Sequence, residues 1–190
     1  MIDIALLQIA SSLNQSLRRS FGVADDLVSL ASLHEPDGSL APQSAGRLSM
    51  FLVGVERDTL PGGAARVAAA ARVGLAPPPV CLNLRVMLAA SFNASQYAQA
   101  LRLLSAAVGF FQSRPLFDHH NTPDLDPRIS RLALDLENLG FAELANAWGM
   151  LGGKYLPSVL YRVRMVAIDA AQVYAEAVRI ARPRIDIKER

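Results

Sequence analysis

The feature of the sequence that most constrains the fold is a strict alternation of side chains at residues 82–88. One set of alternate positions is apolar and the other is mixed, and the sets are Leu82, Leu84, Val86 and Leu88, then Asn83, Arg85 and Met87. Successive side chains of a β-strand point to opposite faces of a sheet, so this pattern predicts a strand with one face in a hydrophobic core. The remaining chain must supply strands that pair with it and a layer that covers that face.

Four further segments have strand patterns. Residues 131–137 and 159–165 alternate, with the inward sets Leu132, Leu134 and Leu136, then Val159, Tyr161, Val163 and Met165. Residues 47–56 are apolar on both faces, as in the middle of a sheet covered on both sides, and Gly54 marks a β-bulge. The short apolar run at 27–33 predicts another strand before the turn-rich segment 34–44.

Helical spacing occurs in three segments, which begin near residues 2, 95 and 141. Their apolar stripes are Ile2, Leu6, Ile9, Leu13 and Leu17; Tyr97, Leu101, Leu104, Val108 and Phe111; and Phe141, Leu144 and Trp148. Gly22 and Gly152 are suited to the left-handed positions that follow a helix. The order of elements predicts an α+β domain whose sheet is mainly antiparallel, has four to five strands and is covered by helices.

Two segments differ from the rest of the chain in composition or pattern. Residues 59–79 are rich in Ala, Pro and Gly, which predicts a long excursion between two strands. Residues 170–182 fit either a helix or a continued strand, and a charged terminus follows. We therefore assign residues 1–168 to one domain that includes the excursion, and residues 169–190 to a C-terminal extension.

The overall composition excludes several classes of protein. Of the 190 residues, 52% are hydrophobic and 19% are charged, which is incompatible with disorder over most of the chain. No apolar run is long enough to span a membrane, and the first residues lack the basic region of a secretory signal, so we expect a soluble cytoplasmic protein. The net charge is +2, and the arginine-rich terminus lacks interleaved aromatic residues, so we expect no binding to nucleic acid or membrane.

Candidates for catalysis or cofactor binding are weak. The segment Asp118–Asp126 holds the only cluster with metal-ligand chemistry, namely Asp118, His119, His120, Asp124 and Asp126, but its spacing fits no known site. Gly152-Gly153-Lys154 lacks the earlier glycine and the Ser or Thr of a phosphate loop. Cys81 begins an apolar strand, where a buried thiol is more common than a nucleophile. We predict a protein without catalytic, cofactor or metal residues, with a metal or ligand site in the 118–126 loop as the alternative.

A charged set of residues occupies the outward positions of three predicted strands: Arg85, Asp135, Glu137, Arg162 and Arg164. The same sheet face would carry all five side chains. This face is either an ordinary solvated surface or a surface ordered by a neighbouring subunit through charge-assisted contacts. We take the five residues as the candidate interface.

Several segments, in this order, resemble the tail-terminator or cap family of phage-tail-like contractile injection systems of the antifeeding-prophage and virulence-cassette type. The strongest is WGMLGGKYLPSVLYRVRM at 148–165. The others are the helix at 2–17, the strand ending in Val55-Glu56-Arg57-Asp58, PPVCLNLRVMLAASF at 78–92, YAQALRLLSAAVGFFQSRPLFDHHNTP at 97–123 and LDLENL at 134–139. Together they span most of residues 1–168.

The resemblance implies a structural protein rather than an enzyme. It implies a tail-terminator-like fold and a sixfold homomeric ring on the end of the inner tube distal to the baseplate, where the ring stops growth of tube and sheath. The expected partners are further copies of the chain, the tube protein and the sheath protein. Assembly would take place in the cytoplasm, and the protein would then be part of the particle. A neck or baseplate adaptor of the same machine is the alternative.

Overall fold

The structure is a computed structural model that describes residues 1–35, 37–58, 80–152 and 154–168, with side chains described as far as residue 164. The predicted excursion at 59–79 and the predicted extension at 169–190 lie outside the described residues.

Three helices and six strands make up the described chain. In chain order they are α1 (Ile2–Phe21), β1 (Val28–Leu30), β2 (Arg47–Arg57), β3 (Val80–Ser91), α2 (Tyr97–Ser113), β4 (Leu116–Asp118), β5 (Arg131–Glu137), α3 (Phe141–Met150) and β6 (Ser158–Ile168). Short 3-10 turns occur at Pro42–Ser44 and Ala94–Gln96.

All six strands form one sheet in the order β1-β2-β3-β6-β5-β4. Every neighbouring pair is antiparallel except β1 and β2, which are parallel. The predicted α+β class and the mainly antiparallel pairing are confirmed, but the predicted count of four to five strands is too low. The unpredicted strand is β4, a three-residue edge strand that leads into the predicted 118–126 loop. Three residues are too few to show an alternation, so such an edge strand is difficult to detect.

Helices α1 and α2 cover one face of the sheet and enclose the main core. Helix α1 ends as predicted, because Gly22 adopts a left-handed φ of 66° and its N–H bonds to the carbonyl of Arg18. The rings of Phe111 in α2 and Tyr161 in β6 meet edge to face, with centroids 4.9 Å apart. The largest fully buried members of this core are Ile9, Leu13, Leu17, Leu48, Met50, Leu84, Leu88, Leu103, Phe117, Leu132 and Val163.

Helix α3 covers one end of the opposite face with a smaller core. Trp148 is buried there among Leu33, Phe51, Met87, Ala89 and Leu160. Met87 thus lies on the face opposite Leu84, as predicted, but the sequence did not show that α3 covers this position. Phe141 was also placed wrongly: it is 94% exposed, whereas Leu144 and Trp148 pack against the sheet as predicted. Among the described residues, α3 is the helix on this face, and it covers only one end of it.

Two register shifts bend the central strands. The bulge predicted at Gly54 is confirmed by a shift between Leu52 and Gly54 opposite β3. A second shift, between Leu82 and Leu84, was not predicted, and it places Asn83 in a largely buried position. Leu136 was assigned to the core from its alternation, but it is 51% exposed because it lies at the open edge of β5.

Candidate assembly surface

The structure brings the five predicted interface residues together on the sheet face opposite α1 and α2. Arg85 of β3 lies opposite Arg162 of β6, and Arg162 lies opposite Asp135 of β5. Glu137 and Arg164 are two residues along their strands and therefore share the same face. These residues occupy the part of the face that α3 leaves uncovered.

Ion pairs join these side chains in two groups on the three strands β3, β5 and β6. Glu137 pairs with Arg162 and lies 3.5 Å from Nε of Arg85. Nε of Arg164 donates to Oδ2 of Asp135 at 2.6 Å. The five side chains are three arginines and two acids, so these pairs alone leave one positive charge without an acidic partner.

Sequence reasoning missed a sixth member, Glu56 of β2. Its carboxylate lies 3.0 Å from Nε of Arg85 on the side away from Glu137, so Arg85 is held between two acids. The bulge after Leu52 shifts the side-chain alternation of β2, and a regular pattern read from residue 47 does not follow that shift. The glycine at 54 was the available signal.

Burial differs strongly within the network. The side chain of Glu137 is only 14% exposed, whereas that of Asp135 is 46% exposed. Glu137 is thus the more buried acid and has two arginine partners, whereas Asp135 is paired with Arg164. Paired arginines and acids of this kind order a flat surface and can hold a protein partner through further guanidinium hydrogen bonds. The arrangement offers no nucleophile and base in contact.

A second feature of this side of the molecule is the exposed apolar surface around α3. Phe141, Met150 and Tyr155 are all largely exposed. The ring of Tyr155 packs edge to face on Trp148, with 5.7 Å between centroids, and this contact fixes its position. Large exposed apolar side chains beside a polar surface are typical of protein contact sites.

The alternative site, the Asp118–Asp126 segment, is organised as a structural turn. Oδ1 of Asp118 accepts the backbone N–H groups of Asn121 and His120, both at 3.0 Å, and these bonds hold the pKa of Asp118 below its usual range. Asp126 forms an ion pair with Arg128 that lowers the pKa of the carboxyl to about 2. Within the described ranges, no group of three or more His, Cys, Asp or Glu side chains could hold a metal ion. Asp118 and Asp126 are thus bound to protein donors, and His119 and His120 are exposed.

The other two candidate motifs, at Gly152 and Cys81, also lack the features of a binding or catalytic site. Gly152 follows the C-terminal end of α3, whereas a phosphate loop must precede a helix N-terminus. Partial burial raises the pKa of the Cys81 thiol, and the carboxylate of Asp58 raises it further, which disfavours the reactive thiolate.

Comparison with known proteins identifies the family. The Pvc16 N-terminal domain family matches residues 8–182. The chain belongs to this family. No curated protein matches it in sequence. The described part of this Pvc16 N-terminal domain contains no helix that could cross a membrane.

Two solved structures are similar to the Pvc16 N-terminal domain described here. One is the sheath/tube terminator of the extracellular contractile injection system PVC in its extended state, with a TM-score of 0.52, 15% identity, and coverage of 85% of this chain and 56% of that one. The other is the tube-terminating cap of the anti-feeding prophage, with a TM-score of 0.46, 18% identity, and coverage of 86% and 55%. The chain thus spans a little over half the length of each. The first match confirms the predicted terminator-like fold.

Proposed function

We propose that this protein is a structural cap, or tail terminator, of a contractile injection system. It forms a homohexameric ring on the distal end of the inner tube, ends the polymerisation of tube and sheath, and stabilises the particle. The observation that carries the proposal is the superposition of 85% of the chain on a sheath/tube terminator, together with a family match over residues 8–182.

The physical logic of a cap agrees with this structure. A tube is an open polymer whose subunits repeat the same contact, and a closed ring that binds the last layer on one side only ends the repeat. Such a ring needs extended contact surfaces rather than a catalytic site. The paired charged face around Glu137 and the exposed apolar residues near α3 supply surfaces of that kind.

The proposal assigns roles to the parts of the chain. Residues 1–168 are the terminator domain, which includes the inter-strand excursion, and residues 169–190 are an extension. The charged residues Arg85, Asp135, Glu137, Arg162 and Arg164 form a contact surface toward a neighbouring subunit. The protein assembles in the cytoplasm and becomes part of the particle, with the tube and sheath proteins as its partners and no enzymatic activity.

The test is the length distribution of particles seen by electron microscopy. Cells that lack this gene should make overlong or ragged tubes with unstable sheaths, and the wild-type gene should restore a uniform length. Particles of normal length with an intact end, made without the protein, would contradict the proposal. Labelled protein found at the baseplate end would instead support a neck or baseplate adaptor.

A further inference from the structure

In each of the two outermost strands of the sheet, an asparagine side chain forms hydrogen bonds with backbone groups that face away from the sheet. Asn14 of α1 donates to the carbonyl of Val28 in β1 at 2.8 Å and accepts the Val28 N–H at 2.8 Å. Asn121 donates to the carbonyl of Leu116 in β4 at 2.8 Å and accepts the Asp118 N–H at 3.1 Å. Both side chains satisfy backbone groups that would otherwise recruit another strand, which is how native sheets protect their edges.

The same protection does not extend along the whole of either edge. Strand β1 pairs with β2 only from Leu48 to Met50, and among the described residues no strand pairs with β2 on that side from Leu52 to Arg57. On the opposite edge, the last bond toward the β4 segment is from the Leu134 N–H to the Pro115 carbonyl, so Asp135–Glu137 of β5 has no described strand beyond it. Within the part of the chain that the structure describes, each sheet edge therefore has one stretch without a neighbouring strand.

The two open stretches are the ends of one row of side chains across the sheet. Leu52 lies opposite Val86, Val86 opposite Tyr161, and Tyr161 opposite Leu136. The two middle residues are buried in the core under α1 and α2. The two ends are apolar and exposed, at 39% for Leu52 and 51% for Leu136. The row therefore crosses the buried core and ends in an exposed leucine at each edge of the sheet.

We propose that the open Leu52–Arg57 edge of one copy pairs with the open Asp135–Glu137 edge of a second copy. The junction would join the sheets and satisfy backbone groups that no described strand pairs with. It would also bring Leu52 and Leu136 of neighbouring copies together on the face that α1 and α2 cover. Strands β2 and β5 run in opposite directions, because three antiparallel steps separate them, so a sheet continued in this way pairs them antiparallel.

This contact joins two different surfaces of the chain, and contacts of that type generate rings when the rotation closes. The inference rests on the proposed function, since it names the contact between subunits of the proposed ring. It places a subunit contact at the sheet edges, in addition to the one proposed for the charged face.

Cross-linking through paired cysteines tests the junction. In a Cys81→Ala background, Leu52→Cys and Leu136→Cys are combined, and a short bismaleimide is added to the purified chain and to assembled particles. We expect a ladder of multimers, with about tenfold or more product than a control pair, because residues held side by side react at a high effective concentration. The matched control combines Leu136→Cys with Leu101→Cys, which is on α2 and is 40% exposed.

A backbone variant shows whether the contact uses strand pairing. The Asp58 N–H donates to the carbonyl of Cys81, so two-residue alternation directs the Val55 N–H away from β3, toward the open side. Adding Val55→Pro to the cysteine pair removes this outward donor and should lower the yield of the ladder to the level of the control pair. Circular dichroism and thermal unfolding establish that the variant is folded, and Val55→Thr keeps the donor and should keep the ladder.

The outcomes separate this inference from the proposed function. No excess of ladder over the control pair, in particles that are capped normally, overturns the edge contact and leaves the terminator role standing. A strong ladder from a protein whose deletion leaves tube length unchanged supports the contact and contradicts the terminator role. A ladder that persists in a folded Val55→Pro variant overturns strand pairing.

Discussion

Asn14 holds both backbone groups of Val28, and the same amide oxygen also accepts the Leu27 N–H at 2.9 Å. One side chain of α1 therefore makes three hydrogen bonds to the start of β1. These bonds attach the first helix to the edge of the sheet and fill the positions that another strand would use. A polar residue within an otherwise apolar helix stripe thus connects helix packing to edge protection.

Replacing Asn14 by Ala removes all three bonds and leaves backbone groups of a part-buried strand unsatisfied. We expect the free energy of unfolding to fall by about 1–3 kcal/mol. Urea denaturation followed by circular dichroism measures the change. Gln15→Ala, at the exposed neighbouring position, is the matched control and should change stability by less than about 0.5 kcal/mol. Equal effects of the two substitutions would contradict the role given to Asn14.

Trp148 is the only buried residue of α3 in the described structure, so it carries the attachment of this helix to the sheet. Trp148→Ala should lower the free energy of unfolding by about 3–5 kcal/mol, because it leaves a cavity beside Phe51, Met87 and Leu160. Phe141→Ala, in the same helix but almost fully exposed, should have little effect on the isolated chain. Thermal and urea unfolding measure both. A loss below about 1 kcal/mol for Trp148→Ala would show that other contacts hold α3.

The sequence predicted the long elements because their residues have one dominant environment. Strand β3 and helix α1 each have one continuous apolar face, and that face is buried as the period requires. The errors occur where environment changes within an element. Phe141 is exposed although Leu144 and Trp148 of the same helix pack on the sheet, and Leu136 is exposed because β4 stops short of it. The period of a sequence identifies a strand, but it does not show how far the adjacent strands and helices extend beside it.

The charged network shows the same limit. Alternation identified Arg85, Asp135, Glu137, Arg162 and Arg164 as residues of one sheet face, because side chains on adjacent strands share a face once the register is set. The alternation of side chains did not predict the register between strands. The bulge that brings Glu56 to Arg85 depends on the pairing of β2 with β3. The alternation also did not show that acidic side chains of the same subunit pair with these arginines.

The Asp126–Arg128 pair makes stability depend on pH in the acid range. The side-chain hydrogen bond from Arg128 lowers the pKa of Asp126 to about 2 in the folded chain, whereas an unfolded Asp has a pKa near 4. The contribution of this pair is therefore fully present above about pH 4, decreases as the pH falls toward 2, and is lost below that value. The melting temperature of wild type should exceed that of Asp126→Asn by a constant amount above pH 4. The two curves should converge as the pH approaches 2, and a gap that stays constant over this interval would contradict the assignment.

Glu137 separates two arginines that face each other across β3 and β6. Arg85 and Arg162 are paired in register, and the carboxylate of Glu137 contacts both. Glu137→Ala leaves these two positive charges close together on a half-buried face, so we expect a loss of about 1–3 kcal/mol, with added salt restoring part of it. Asp135→Ala is the matched control: its side chain is more exposed and serves only Arg164, so the loss should be about 0–1 kcal/mol. Urea unfolding at low and high salt measures both variants. If Asp135→Ala is as destabilising as Glu137→Ala, burial does not decide the strength of these pairs, and the central position of Glu137 in the network is wrong.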